Sequence, residues 1–229
     1  MKSKILNSKA YQVFDYICRL VILNLLLIIV SFSIFLLVIN IFPNIKTIYR
    51  LLCLIPSALN FLPAIVAIAD VIKGYELEQN TGVFKEFFQA FKKHFAKSSL
   101  LSVLLIICVI LITNSISFFE TMQTEGVIYT IGFGLSLSLV LILIIGIIHL
   151  PLVMIYFNDL KMNHYVKLSL IFGFKDLGLT LLLTIFVVVS LILSYLISIY
   201  LVLIAFSLVI YLIVKLTKNK YLKISERNK

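Results

Sequence analysis

"LGLTLLLTIFVVVSLILSYLISIYLVLIAFSLVIYLIV", residues 177–214, contains no charged side chain, and whether it crosses a membrane once or twice decides the fold. As one helix these 38 residues would measure about 57 Å at 1.5 Å per residue, nearly twice the roughly 30 Å of a bilayer's hydrocarbon core. Tilt does not absorb so large an excess. Two short helices fit instead, with a turn near "SYLISIY" (194–200) whose tyrosines would anchor at the membrane interface.

The rest of the chain has the same character. Hydrophobic residues make up 62% of its 229 positions, well above the ~45–50% usual in soluble domains, and mean hydropathy is +1.15. Further apolar runs occupy about 20–42, 51–72, 98–119 and 128–157. They are about twice the length of a barrel strand and apolar on every face, so the expected fold is an all-α integral membrane protein. The first run is too long for the apolar region of a cleaved signal peptide and reads as a retained span. The net charge of +10 comes from basic residues flanking these runs, a pattern that fits headgroups and insertion rules and not nucleic acid. Cys18, Cys53 and Cys108 have neither disulfide nor metal spacing and read as small packing residues.

Charge placement settles the expected number of spans. Lys2, Lys4, Lys9 and Arg19 precede the first run; Lys73, Lys85, Lys92, Lys93 and Lys97 follow the second; Lys161, Lys167 and Lys175 follow the fourth; six more form the tail. Eighteen of the 20 basic residues therefore share one side only if residues 177–214 cross twice, as about 177–195 and 198–214. This predicts a single polytopic domain over 1–229 with six spans and both termini cytoplasmic. The five-span alternative would put the basic tail outside.

Between the second and third runs lies "GVFKEFFQAFKKHFAKSS" (82–99). At 100° per residue Phe84, Phe87, Phe88, Phe91 and Phe95 fall within an arc of about 100°, with Lys85, Glu86, Gln89, Lys93 and Lys97 opposite. Lys92 adds to the basic character, and Thr81 or Asn80 can cap the start. The pattern predicts a cytoplasmic amphipathic helix over about 82–97 that turns into the third span at Ser98. Its rings would meet either the acyl boundary, with lysines toward anionic headgroups, or the ends of neighbouring spans.

This stretch, with "FDYICRLVILNLLLIIVSFSI" (14–34) and "IPSALNFLPAIVAIADVIKG" (55–74), resembles the YesL family of bacterial membrane proteins. The shared features are Leu23-Asn24 opening the first span, a second span running into a basic loop, and the Phe87–Phe95 segment. The chain departs from the family in its first hairpin, where "SFSIFLLVINIFPNIKTIYR" (31–50) replaces a Pro-rich, Gly-containing turn, and in lacking Trp. The resemblance implies an accessory or transport-related protein of the bacterial cell membrane associated with carbohydrate uptake. It brings no functional residues with it.

Ionisable groups at membrane depth are costly to insert and so are the candidates for chemistry. Asp70, near the end of the second span, is expected to pair with Lys73 at i+3. Asp15 and Arg19 bracket the start of the first span in the same way. His149 in "IIGIIHLPLVMIYF" is flanked by apolar residues, and Pro151 frees the carbonyl of residue 147. Asn24, Asn40, Asn60 and Asn114 read as hydrogen-bonding glue between helices or as the lining of a polar path. A weaker signal is the likeness of "HFAKSSLLSVLLI" (94–106) to "GFKDLGLTLLLTI" (173–185), each an aromatic, basic segment leading into a span.

No phosphate loop, metal cluster or nucleophile–base pattern is present, so neither an enzyme nor a cofactor is expected. The leading reading is an accessory protein that binds another membrane complex through its helices or its basic face. The alternative is a small homo-oligomeric transporter or channel, with a path at His149, Asp70 and the asparagines.

Overall fold

The computed structural model describes residues 9–41, 47–76, 82–122, 126–157, 160–196 and 202–227, with side chains for 13–31, 55–76, 82–122, 126–157, 160–189, 192 and 207–224. Everything regular within them is helical: α1 (Lys9–Ile41), α2 (Thr47–Glu76), α3 (Val83–Thr121), α4 (Val127–Tyr156), α5 (Met162–Lys175), α6 (Leu177–Leu196) and α7 (Val202–Arg227). Among the described residues four helices are long and apolar enough to cross a membrane, through Val13–Ser31, Ile55–Glu76, Val83–Thr121 and Val127–Tyr156. Counting α5 and the described part of α6, which are bent by 99° to each other, as one broken span raises the number among the described residues to five.

Hydrogen bonds between side chains and backbone fix the register. Lys73 Nζ at the end of α2 donates to Ile155 O at the end of α4 (2.6 Å), and Lys218 Nζ of α7 donates to Glu76 O of α2 (2.5 Å). The Arg19 guanidinium of α1 lies 5.0 Å from the centre of the Tyr75 ring, and Lys97 of α3 lies 5.7 Å from that of Tyr165 in α5. The basic segments at the start of α1, between α2 and α3, after α4 and at the end of α7 therefore meet at one end of the bundle, as the charge pattern requires.

At this basic end the helices close around a core: Leu20–Leu27 on α1, Leu62–Ile72 on α2, Phe87 and Ala90 on α3, Leu150–Tyr156 on α4 and Val209–Tyr221 on α7 all supply buried residues. Toward the other end α3 exposes Leu104, Ile107, Ile110 and Leu111, and α4 exposes Ile128, Ile131, Leu135 and Leu141. Apolar surface of this kind suits lipid, which solvates it as well as a neighbouring helix does. The central element is α2, with 56% of its apolar window buried against 17% for α3.

Two expectations change. The segment 82–97 is not a separate surface helix turning at Ser98, because α3 runs unbroken from Val83 to Thr121. Phe87, Ala90, His94, Ser98 and Leu101, spaced by three and four, all face inward, so one buried stripe carries the helix through the proposed corner. The aromatic arc splits as a result. Phe87 is fully buried and Phe91 packs beside it, while Phe84, Phe88 and Phe95 are exposed.

The final run does form two helices, but the second does not stop at 214. It continues through the basic tail to Arg227, because Ser207, Ile210, Val214, Thr217 and Tyr221 form a buried stripe at helical spacing. That stripe lays α7 across the bundle: Ser207 and Tyr211 meet α1, Lys218 meets α2, and Tyr221 meets α4. Of the expected turn over 194–200, the first three residues belong to α6 and 197–200 lie outside the described residues, as does the side chain of Asn40.

Candidate functional site

Asn24, Asp70 and His149 lie in three separate locks, whereas Asn114 is exposed on α3. Asn24, buried on α1, donates through Nδ2 to Ser207 Oγ (2.9 Å) and accepts at Oδ1 from the Ser207 backbone N–H (2.9 Å), while Ser207 Oγ donates to Leu20 O (2.9 Å). This is helix-to-helix glue joining α1 to α7, strengthened by an edge-on Tyr16–Tyr211 pair with ring centres 4.9 Å apart. Asn60 makes a longer contact, 3.4 Å to Val30 O.

Asp70 joins α2 to α3. Its Oδ2 lies 3.0 Å from His94 Nε2 and 3.4 Å from Lys93 Nζ, whereas the expected i+3 partner, Lys73, reaches across to Ile155 O and lies over the Tyr156 ring. Asp70, Lys73, Gly74, Glu86, Gln89 and Lys93 line an open cleft of about 410 Å³. Both signs of charge line it, and no cluster of three metal-ligating side chains occurs among the described residues. Asp15 and Arg19 pair as expected, Oδ2 to Nε 2.6 Å.

His149 has no exposed surface, and its ring is held by hydroxyls. Thr180 Oγ1 shares its proton between Gly173 O (3.0 Å) and Asp176 O (3.1 Å). Its oxygen is then left to accept from His149 Nε2–H (2.9 Å), and the Tyr221 hydroxyl donates to Nδ1 (2.9 Å). Neutral imidazole, with its one donor and one acceptor, is fully satisfied by this arrangement. Burial, and secondarily Tyr156, pushes the ionisation of Tyr221 upward, which keeps it a donor.

These bonds build the corner between α5 and α6. Asp176, with φ −120° and ψ 46°, leaves the helix, and its carbonyl accepts the first bond of α6 from Thr180 N (2.9 Å). Gly173 is required there: a Cβ would collide with Ile145 and come within 3.3 Å of His149 Cδ2. Tyr221 closes the corner against Phe172, Tyr156 and Phe157. Asp176 also pairs with Lys220 of α7. Burial and, after it, the nearby Lys175 hold Lys220 below the usual lysine range.

Sequence reasoning found His149 and missed its partners. Tyr221 is 72 positions away and carries no local signal. The break itself had one, in Gly173, Asp176, Gly178 and Thr180 at the entrance to an apolar run.

Over residues 20–116, less than half of the chain, the sequence matches the family described as a protein of unknown function, DUF624. That span holds the Asp70 lock and Asn24, but neither Ser207, the partner of Asn24, nor the His149 corner. No curated protein and no solved structure matches the chain.

Proposed function

We propose that this chain is a six-span, YesL-type accessory protein of the bacterial cell membrane, with both termini cytoplasmic. On this reading it catalyses no reaction and binds another membrane complex, in the first place a carbohydrate importer, through its basic end. The observation that carries the reading is the convergence of four basic segments on one end of the bundle, locked together by Lys73, Lys218 and Arg19. Exposed Phe84, Phe88 and Phe95 beside Lys85 and Lys92 add an aromatic and cationic surface there, suited to a protein partner or to anionic headgroups. A transporter path has less support, because His149, Asp70 and Asn24 are tied up in three separate locks.

Tagged protein crosslinked in native membranes and purified in mild detergent should bring down specific membrane partners, and Lys85→Glu with Lys92→Glu should weaken their recovery. Purification of the tagged chain alone would overturn the proposal. Reporter fusions after Asn80, Gln123, Asn163 and Asn219 should read in, out, in and in.

A further inference from the structure

The helix suited to lying on a membrane is α5. It meets α6 at 99°, and α6 enters the apolar region at once, exposing Leu177, Leu181, Leu182, Ile185 and Phe186. If α6 runs across the bilayer, α5 runs along its surface. Its position on α4 agrees. The exposed large apolar residues of α4 end at Ile142, and from His149 to Tyr156 every residue is buried. Between these two zones Gly146 faces Leu170, and Ile145 and His149 face Gly173. The helix therefore sits at the border between apolar surface and the packed basic end.

Its own sequence divides into three flanks at 100° per residue. Tyr165, Ser169, Phe172 and Gly173 are buried against the bundle. Val166, Leu170 and Phe174, at spacing four, form an apolar flank, with Val166 41% and Phe174 48% exposed. His164, Lys167 and Lys175, all exposed, occupy the third flank along with Ile171. Residues 161–175 contain three lysines and no acid, and the first acid after them, Asp176, is taken by Lys220.

We propose that α5 lies in the plane of the membrane surface at the basic end, with Val166, Leu170 and Phe174 in the acyl boundary and Lys167 and Lys175 on the phosphates of anionic phospholipids. Apolar and cationic flanks side by side are what an interfacial helix needs, and neutral headgroups would leave the lysines without counter-charge. The proposal rests on the membrane-spanning reading and adds to it a specific lipid-reading element.

Full-length chain with Cys18, Cys53 and Cys108 replaced by serine would carry one new cysteine, Phe174→Cys, Lys167→Cys or Leu139→Cys, labelled with a fluorophore. The vesicles would be phosphatidylcholine alone, or equal parts phosphatidylcholine and phosphatidylglycerol. Shallow lipid-borne nitroxide should quench the label at 174, aqueous iodide that at 167, and deep nitroxide that at 139. A label at 174 open to iodide, with 139 still quenched from the lipid, overturns the in-plane helix. If 139 is not quenched from the lipid either, the spanning reading itself has failed. From mixed vesicles, Lys167→Glu with Lys175→Glu should retain severalfold less phosphatidylglycerol in mild detergent, while Lys167→Arg with Lys175→Arg should match the parent. Equal retention by the glutamate variant overturns the anionic preference.

Discussion

Residues 94–106 and 173–185 have like sequences and unlike structures. Each is an aromatic, basic segment followed by an apolar run, yet the first lies within the unbroken helix α3 and the second contains the 99° corner between α5 and α6. In α3 the Ser98 hydroxyl turns back onto His94 O (2.7 Å), so the polar residue at the junction leaves the helical bonds intact. In the second segment Thr180 also bonds to backbone carbonyls, but one of them, Gly173 O, lies seven residues back and across the corner. A helical carbonyl released by a bend needs a new partner, most of all where water is scarce. The bend is thus held by partners from elsewhere in the chain, His149 from α4 and Tyr221 from α7. Local pattern selected helix in both places, Gly173, Asp176 and Gly178 permit the break in the second, and distant side chains hold it.

The strongest way to break this comparison is His149→Ala. It leaves a cavity, takes the acceptor from the buried Tyr221 hydroxyl and frees Thr180 from the ring, for a combined loss of about 3–5 kcal/mol. Thermal unfolding in detergent should show the loss, and the distance between spin labels at Asn163 and Ile185 should broaden as the corner loosens. A cost no greater than that of Asn24→Ala would mean that His149 does not hold the corner. Gly173→Val comes next. Its side chain must displace Ile145, and overpacking of this kind costs about 1–3 kcal/mol. The same labels should report a shifted, still narrow distance, since the Thr180–His149–Tyr221 bonds remain available. Unchanged stability and distance would show that α4 and α5 are not in the close contact described.

How far the sequence could be read follows the same division. The all-helical fold and the gathering of basic segments at one end came from local hydropathy and charge, because membrane insertion is decided by local composition. The continuity of α3 is not legible locally, because the aromatic arc reads as one face in the sequence and splits in the structure. Phe87 packs inward with His94 and Ser98 while Phe84, Phe88 and Phe95 turn out, and only the position of α2 separates them. His149 stood out as a buried ionisable group, and its role as a corner post did not, because a hydroxyl 72 residues away completes it. Asp70 gave a similar lesson, since a nearby lysine in sequence was passed over for His94 and Lys93 on the facing helix.

The smallest effects sharpen the comparison most. Thr180→Val keeps shape and volume nearly constant but leaves the buried His149 Nε2–H without its acceptor and Gly173 O without its hydroxyl donor, so it should cost about 1–3 kcal/mol. Ser98→Ala, the matching change in α3, should stay within about 0.5 kcal/mol, because the carbonyl it releases keeps its helical bond. Paired thermal unfolding curves of the two variants test the difference directly. If both cost the same, the Thr180 hydroxyl is merely another back-bonded side chain and the corner is held by packing alone. If Thr180→Val costs more, the hydroxyl that joins Gly173 O to His149 is part of what turns an otherwise continuous helix through a right angle.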